Sequence, residues 1–353
     1  MKKSVSFLYP LGDCIRPITG GQVYDGRFYN YLKNKKDLLV DYIDGENLGV
    51  TSPMNMLSRL LLNVNRINKS SVVFFNSACF VYYIPYLIVS KLFFNKTKIY
   101  AIHHHYRYLE FQGVSKMIRF MLENVCLRLC SGVISPNPYT SGQLAKFINK
   151  KKIISLRMSF DKGEDKLSSF SSRHFLFVGT VYFRKGIHLL VESIGLMSKD
   201  ERDGLVVDIV GSLDDTIYIN KLCSRIKQLG IEENIIFVGR VSEEKLKHFY
   251  MNSYAFVFPS LLEGYGMVLA EAMSFGLPVI AFNNSAIPFL VTDRLNGLLV
   301  ENKNVNELKN ALLLIKNNLC MHNDLSEGAK RTFMNLPSLG EFYKDVDSFL
   351  KEI

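Results

Sequence analysis

The sequence predicts an α/β fold made of two doubly wound units. Three observations point there. Short apolar runs recur along the chain, and those from residue 174 onward each end in Gly, Pro, Ser or Asn. Segments of helical spacing lie between those runs. The runs are continuous rather than alternating, which suits parallel strands covered on both faces. At 353 residues the chain is too long for one compact core and comfortable for two domains.

The first series of expected strands is "SVSFLYP" (4–10), "SVVFFN" (71–76), "KIYAIHH" (98–104) and "SGVISPN" (131–137). Helical spacing between them covers 26–34, 53–67 and 117–130. No charge occurs from Val72 to Ser90, but Asn76, Ser77 and Pro85 interrupt the run. A span needs about 20 consecutive apolar residues, so a strand followed by a helix explains it better. The polar, serine-rich stretch 161–174 reads as a linker, which divides the chain near residue 168 into domains 1–168 and 169–336. The rhythm then restarts with "HFLFVGT" (174–180), "VVDIVGS" (206–212), "NIIFVGR" (234–240), "YAFVFPS" (254–260) and "PVIAF" (278–282). A final helix within 337–353, after Pro337, could by pattern belong to either domain; packing back on the first is the expected arrangement.

Hydrophobic residues make up 48% and charged residues 22%, ordinary for a soluble globular protein. The net charge is +10 and unevenly placed. Residues 1–170 hold 24 Lys+Arg against 11 Asp+Glu, a net of +13; residues 171–353 hold 19 against 22, a net of −3. The basic half is expected to meet something anionic, such as a membrane surface or a phosphorylated lipid. No nucleic acid is expected, because no reading helix, zinc module or RNA-binding aromatic motif accompanies the charge. The six cysteines show no CxxC and no zinc spacing. With no signal peptide at the N-terminus, they are expected to be reduced thiols in the core of a cytoplasmic protein.

Three segments carry chemistry. In "EGYGMVLAEAMSFGLPVIA" (263–281), Glu263 and Glu271 sit in an otherwise apolar strand-to-helix turn. Burying an unpaired carboxylate is expensive, and the neighbouring sequence offers no obvious cation, so the expected partner is a ligand. Carboxylates accept hydrogen bonds only, which suits sugar and ribose hydroxyls. Gly264 and Gly266 permit close backbone approach, and the first amides of the helix, at Gly266, Met267 and Val268, suit a phosphate. In "FVGTVYFRKG" (177–186), Lys185 follows a strand, with Arg184 as a second cation. In "NIIFVGRVSEEKLKHFY" (234–250), the backbone of Arg240 and Val241 could face a nucleobase. The three adjacent histidines 103–105 raise a metal reading, since positions i and i+2 of a strand share a face. No third ligand lies at useful spacing, and Asp214-Asp215 and "DVD" (345–347) follow no motif strand, so no metal is expected.

Together these segments resemble the retaining glycosyltransferases of the GT-B fold, specifically family 4, across most of 174–320. The E-x7-E spacing of Glu263 and Glu271, flanked by "FPS" and "GLPVIA", carries the resemblance. It implies two Rossmann-like domains facing a central cleft. It implies that Glu263 binds donor sugar hydroxyls, Glu271 the ribose, the 266–268 amides the sugar or diphosphate, and Lys185 the diphosphate. Where the family often has arginine directly after the strand glycine, this chain has Thr180, so Arg184 is expected to supply the missing charge. Gly20 and Gly21 resemble the family's glycine-rich loop. His103 best matches its histidine near the reaction centre, with His104 second. The implied activity is retaining, metal-independent transfer from a UDP-, GDP- or ADP-sugar, without a cofactor, to a glycan acceptor. That acceptor is expected to be lipid-linked, in surface polysaccharide assembly, with the protein peripheral on the inner membrane face. The competing expectations are a GT-B enzyme acting on a soluble sugar phosphate and a non-catalytic GT-B subunit of a transferase complex.

Overall fold

The computed structural model describes residues 2–9, 14–15, 19–50, 52, 55–162 and 174–353. The chain forms two compact units, Met1–Asp161 with Pro337–Ile353, and Lys162–Leu336. The division expected near residue 168, and most of the expected linker, lie outside the described residues.

The first unit runs β1 (Lys3–Tyr9), α1 (Gly20–Lys33), β2 (Leu38–Asp44), α2 (Gly45–Leu48), α3 (Met56–Leu62), α4 (Val64–Ile67) and β3 (Val72–Asn76). It continues through α5 (Phe80–Phe93), β4 (Lys98–Ile102), α6 (Gly113–Leu129), β5 (Gly132–Ser135), α7 (Pro138–Leu144) and β6 (Ile153–Ser155). Its six strands form a parallel sheet in the order β2-β1-β3-β4-β5-β6. Alternate side chains serve the two faces. Leu8, Val73, Phe75, Ala101 and Val133 join Met56, Tyr83, Leu87, Cys126 and Leu127 in one core cluster under α3, α5 and α6. On the other face Phe7 and Phe74 meet Phe28 of α1 at ring distances of 6.1 and 5.0 Å. A helix expected over 53–67 is interrupted at Asn63, whose side-chain amide donates to the Arg59 carbonyl and competes with the helix ladder.

The second unit runs β7 (His174–Val178), α8 (Ile187–Gly195), α9 (Lys199–Arg202), β8 (Val206–Val210), α10 (Thr216–Leu229), β9 (Ile235–Gly239) and α11 (Glu243–Asn252). Then follow β10 (Ala255–Phe258), α12 (Met267–Ser274), β11 (Val279–Phe282), β12 (Gly297–Val300), α13 (Val305–Asn317) and α14 (Leu319–Asn335). Its parallel sheet has the order β12-β11-β10-β7-β8-β9. The last helix, α15 (Leu339–Glu352), belongs to the first unit. A capping box of Ser338 and Glu341 starts it. Phe342 packs 5.5 Å from the Tyr24 ring and Phe349 5.2 Å from Tyr100.

Each sheet therefore reverses direction once, between β1 and β3 in the first unit and between β7 and β10 in the second. Ligands of doubly wound sheets bind at such a reversal, outside the carboxyl ends of the strands. Cys14, Cys126 and Cys130 are buried, whereas Cys223 and Cys320 are exposed, contrary to the expected core placement. Among the described residues no helix is long and apolar enough to cross a membrane.

Candidate active site

At the reversal of the second sheet, two loops meet. After β7 the chain makes one tight turn, Phe183–Lys185, and enters α8 through Gly186 at φ 71°. A Cβ on Gly186 would lie 1.9 Å from the Pro259 carbonyl oxygen. Only glycine lets the Lys185 loop seat itself on the loop that follows β10. That second loop carries Ser260 and Glu263 before Gly266, at φ 83°, opens α12.

The result is a buried ion pair. Lys185 Nζ donates to Glu263 Oε1 at 2.6 Å and lies 4.7 Å from the centre of the Phe258 ring. Ser260 Oγ donates to the same carboxylate oxygen at 2.7 Å, and Arg184 Nη1 reaches it at 3.4 Å. Burial pushes the Glu263 carboxyl up, but the charges of Lys185 and Arg184 outweigh that and hold it below its ordinary value. The expectation that no protein cation serves these carboxylates is thus corrected for Glu263. Its cations come from 78 and 79 positions earlier, a separation that local sequence cannot show.

Arg184 is drawn into the same arrangement. Its guanidinium donates to the Leu262 carbonyl and, at 2.5 Å, to the Tyr182 hydroxyl. Thr180 is exposed beside the end of β7. Glu271, about one turn into α12, is half-buried and accepts from the Tyr250 hydroxyl at 3.1 Å. Gly264, Met267 and Val268 are also half-buried, at the mouth of the same turn. Arg240 and Val241 follow β9 at the sheet edge, two strands from β7, and precede the Ser242 cap of α11.

At the reversal of the first sheet, Gly20 and Gly21 form the first turn of α1, behind the Thr19 cap. The imidazole beside them is that of His104: a Cβ on Gly21 would stand 3.3 Å from its Cδ2. His103 points the other way and is fully buried. It lies edge-to-face with Tyr106 at 4.7 Å, with Nδ1 2.9 Å from Ser77 Oγ, while its Nε2 finds no partner among the described residues. Burial, then the neighbouring His105 and His104, hold it well below the ordinary histidine value, so it is neutral at pH 7. The order in which the two histidines approach the glycines is the reverse of that expected, because the alternation of β4 continues past its end. His105 turns to Glu110 at 3.0 Å, so the three imidazoles diverge.

Sequence reasoning missed Asp25. Fully buried in α1, it accepts from Tyr9 Oη at 3.1 Å and Asn76 Nδ2 at 2.5 Å, and pairs with His104 Nε2 at 2.9 Å. Tyr9 ends β1 and Asn76 ends β3, so Asp25 is the hub of the reversal. The local signal was a lone carboxylate between Tyr24 and Gly26 in a helix otherwise facing the core.

Comparison with known proteins bears on this arrangement. Residues 163–332 match the family model of glycosyl transferases group 1. An uncharacterized glycosyltransferase of Haemophilus influenzae is 31% identical over 168 residues, covering 47% of this chain and 46% of that protein. The O-antigen chain mannosyltransferase of Salmonella typhimurium is 27% identical over 212 residues, covering 56% and 57%. The crystal structure of Anabaena HepE in complex with UDP and glucose superposes with a TM-score of 0.77 at 16% identity, over the full length of both chains. This chain spans less than half the length of the first curated relatives it matches, 32–46%. The fold is that of the GT-B structures, and the likeness to the group 1 glycosyl transferases lies in the second unit.

Proposed function

We propose, from the likeness of the second unit to the group 1 glycosyl transferases, that this protein is a retaining, metal-independent glycosyltransferase. It moves a hexosyl group from a nucleotide-diphosphate sugar to a glycan acceptor. The observation that carries the reading is the Lys185–Glu263 pair at the sheet reversal, beside the first turn of α12. An ammonium has three donors, and Glu263 occupies one, so Lys185 can hold the carboxylate and still meet a diphosphate. Glu263 Oε2 then faces sugar hydroxyls, Glu271 the ribose, and the backbone of Arg240 and Val241 the base. As the anomeric C–O bond breaks, negative charge grows on the departing diphosphate. Lys185 and the amides at Gly266, Met267 and Val268 stabilise it, and one such donor is worth about 3 kcal/mol. The departing phosphate takes the acceptor proton on the same face, which keeps the anomeric configuration. In the first unit the candidates are Gly20, Gly21 and His104, the imidazole beside them, rather than the buried His103, and Arg184 serves as an indirect support through Glu263.

The acceptor is proposed to be lipid-linked, in the assembly of a surface polysaccharide, with the protein peripheral on the inner membrane face. The likeness to an O-antigen chain mannosyltransferase and the +13 charge of residues 1–170 support this. The test is thermal denaturation with UDP-, GDP- and ADP-sugars, because a ligand that prefers the folded state raises the melting point. One donor class is expected to stabilise the protein and to be slowly hydrolysed. No stabilisation by any of them would leave only the non-catalytic subunit reading. Transfer to soluble sugar phosphates but not to lipid-linked glycans would replace the acceptor.

A further inference from the structure

The outer side of α6 is apolar. Val114, Met117, Ile118, Met121 and Val125 fall at i, i+3, i+4, i+7 and i+11, one stripe of the helix, and each is 42–69% exposed. The side of α6 turned to the core instead carries Glu123 and Asn124 among its four buried residues. The usual polarity of a surface helix is therefore inverted. The neighbouring α5 repeats the pattern, with Val81, Ile88 and Leu92 in one outward stripe and Phe93, 75% exposed, at its end.

The two stripes form one surface. β3, β4 and β5 follow one another across the sheet in the same direction, so right-handed crossovers place α5 and α6 on the same face. Their inner sides feed one core cluster, so their outer sides look the same way. From residue 80 to 130 the chain holds seven Lys+Arg and two Asp+Glu, and one of the two acids, Glu123, is buried. Lys91 and Lys116 stand exposed on the two helices themselves.

We infer that the α5–α6 face seats the protein on an anionic lipid bilayer, with the two stripes entering the acyl boundary and the basic residues meeting headgroups. Charge decides between occupants. A second copy would set the same patch against itself and bring like charges together. An anionic membrane satisfies both the apolar stripes and the cations, and an apolar patch of this kind marks an interaction surface. The inference deepens the proposed reading of a lipid-linked acceptor by naming the face that meets its membrane.

The test is co-sedimentation of the full chain with vesicles of phosphatidylcholine, with and without phosphatidylglycerol. Binding is expected only with the anionic lipid. Met117→Glu with Met121→Glu is expected to weaken it about tenfold or more, and Lys91→Gln with Lys116→Gln to remove part of its salt dependence. Leu319→Glu, an equally exposed apolar position in the second unit, is expected to leave binding unchanged. The substituted positions are exposed, and unchanged melting temperatures will verify folding. Unaltered vesicle binding by the double Met variant overturns the inference. So does a dimer in sedimentation velocity that the same variant dissolves, since that makes a second copy the occupant. Stabilisation by nucleotide sugars is measured without vesicles, so a failed donor reading and a failed membrane face give different results.

Discussion

The two sheet reversals solve one problem in different ways. Each buries a carboxylate at the point where a doubly wound sheet opens. In the second unit Glu263 is held by cations, Lys185 and Arg184. In the first unit Asp25 is held by a tyrosine hydroxyl, a side-chain amide and an imidazole. A charge-paired carboxylate is most sensitive to loss of its partner cation, because the remaining charge stays buried. A hydrogen-bonded one spreads that dependence over three donors, each contributing about 1 kcal/mol. The difference suits the proposed role of the second unit, presenting charge to phosphates, and a first unit that orients a histidine.

The largest expected effect tests what fixes the charged version. Gly186→Ala sets a Cβ against the Pro259 carbonyl at a positive φ, so the Lys185 loop can no longer seat. A loss of more than about 4 kcal/mol is expected in urea denaturation, or no folded second unit at all. A near-neutral result would mean that the Lys185–Glu263 pair tolerates loop movement.

Next come the carboxylates' own partners. Lys185→Met is expected to cost about 3 kcal/mol, because Glu263 keeps the neutral Ser260 hydroxyl but, for a cation, the more distant Arg184. Asp25→Asn preserves volume but turns one acceptor into a donor, and about 1–3 kcal/mol is expected. Equal losses from the two variants, measured by the same denaturation, would erase the distinction between them.

How much of this was legible follows the same division. The motif around Glu263 and Glu271 is contiguous, and its flanking strand and helix have clear apolar periods, so its place was readable. Lys185 was readable as a cation after a strand, but not as the partner of Glu263, since only the parallel pairing of β7 with β10 brings them together. Asp25 was unreadable because its partners come from three other segments, around Tyr9, Asn76 and His104. Among the strands, β2 was missed because "LLVDYID" sits at the sheet edge, where Asp41 and Asp44 break the apolar run. β6 and β12 were missed because each is only three or four residues long and also lies at an edge. The outward apolar stripe of α6 was invisible for a different reason. A helical period shows that a helix has two faces without showing which one turns inward.

Acid separates the two reversals further. Glu263 is held below the ordinary carboxyl value, so its contribution is complete above about pH 4.5 and is lost as pH falls through the folded value. His103 is held well below the ordinary histidine value by burial, so the folded first unit resists its protonation. That contribution is complete above about pH 6.5 and is lost as pH falls further. Glu123 acts with the opposite sign: burial pushes it up to about 7, so its contribution is complete below about pH 4.5 and lost as pH rises through 7. Comparing the protein with His103→Asn isolates the histidine. Their stability difference is expected to change between pH 6.5 and 5, well before the Glu263→Gln difference changes. Coincident acid profiles for the two variants would show that the burial of His103 is not what sets its charge.

The smallest expected effect on stability belongs to Glu271. It accepts from the Tyr250 hydroxyl at 3.1 Å and is half-buried, without the buried cation pair that holds Glu263. Glu271→Gln keeps an oxygen that can accept the same bond, so a change below about 1 kcal/mol is expected. Binding should respond more strongly. A ribose diol donates to a carboxylate through charge-assisted bonds, roughly twice as strong as those to a neutral amide. Nucleotide-sugar affinity measured by isothermal titration is therefore expected to fall about tenfold while the melting temperature stays in place. Unchanged affinity would assign Glu271 to bonds within the protein and leave Glu263, with its cations, as the carboxylate serving the donor.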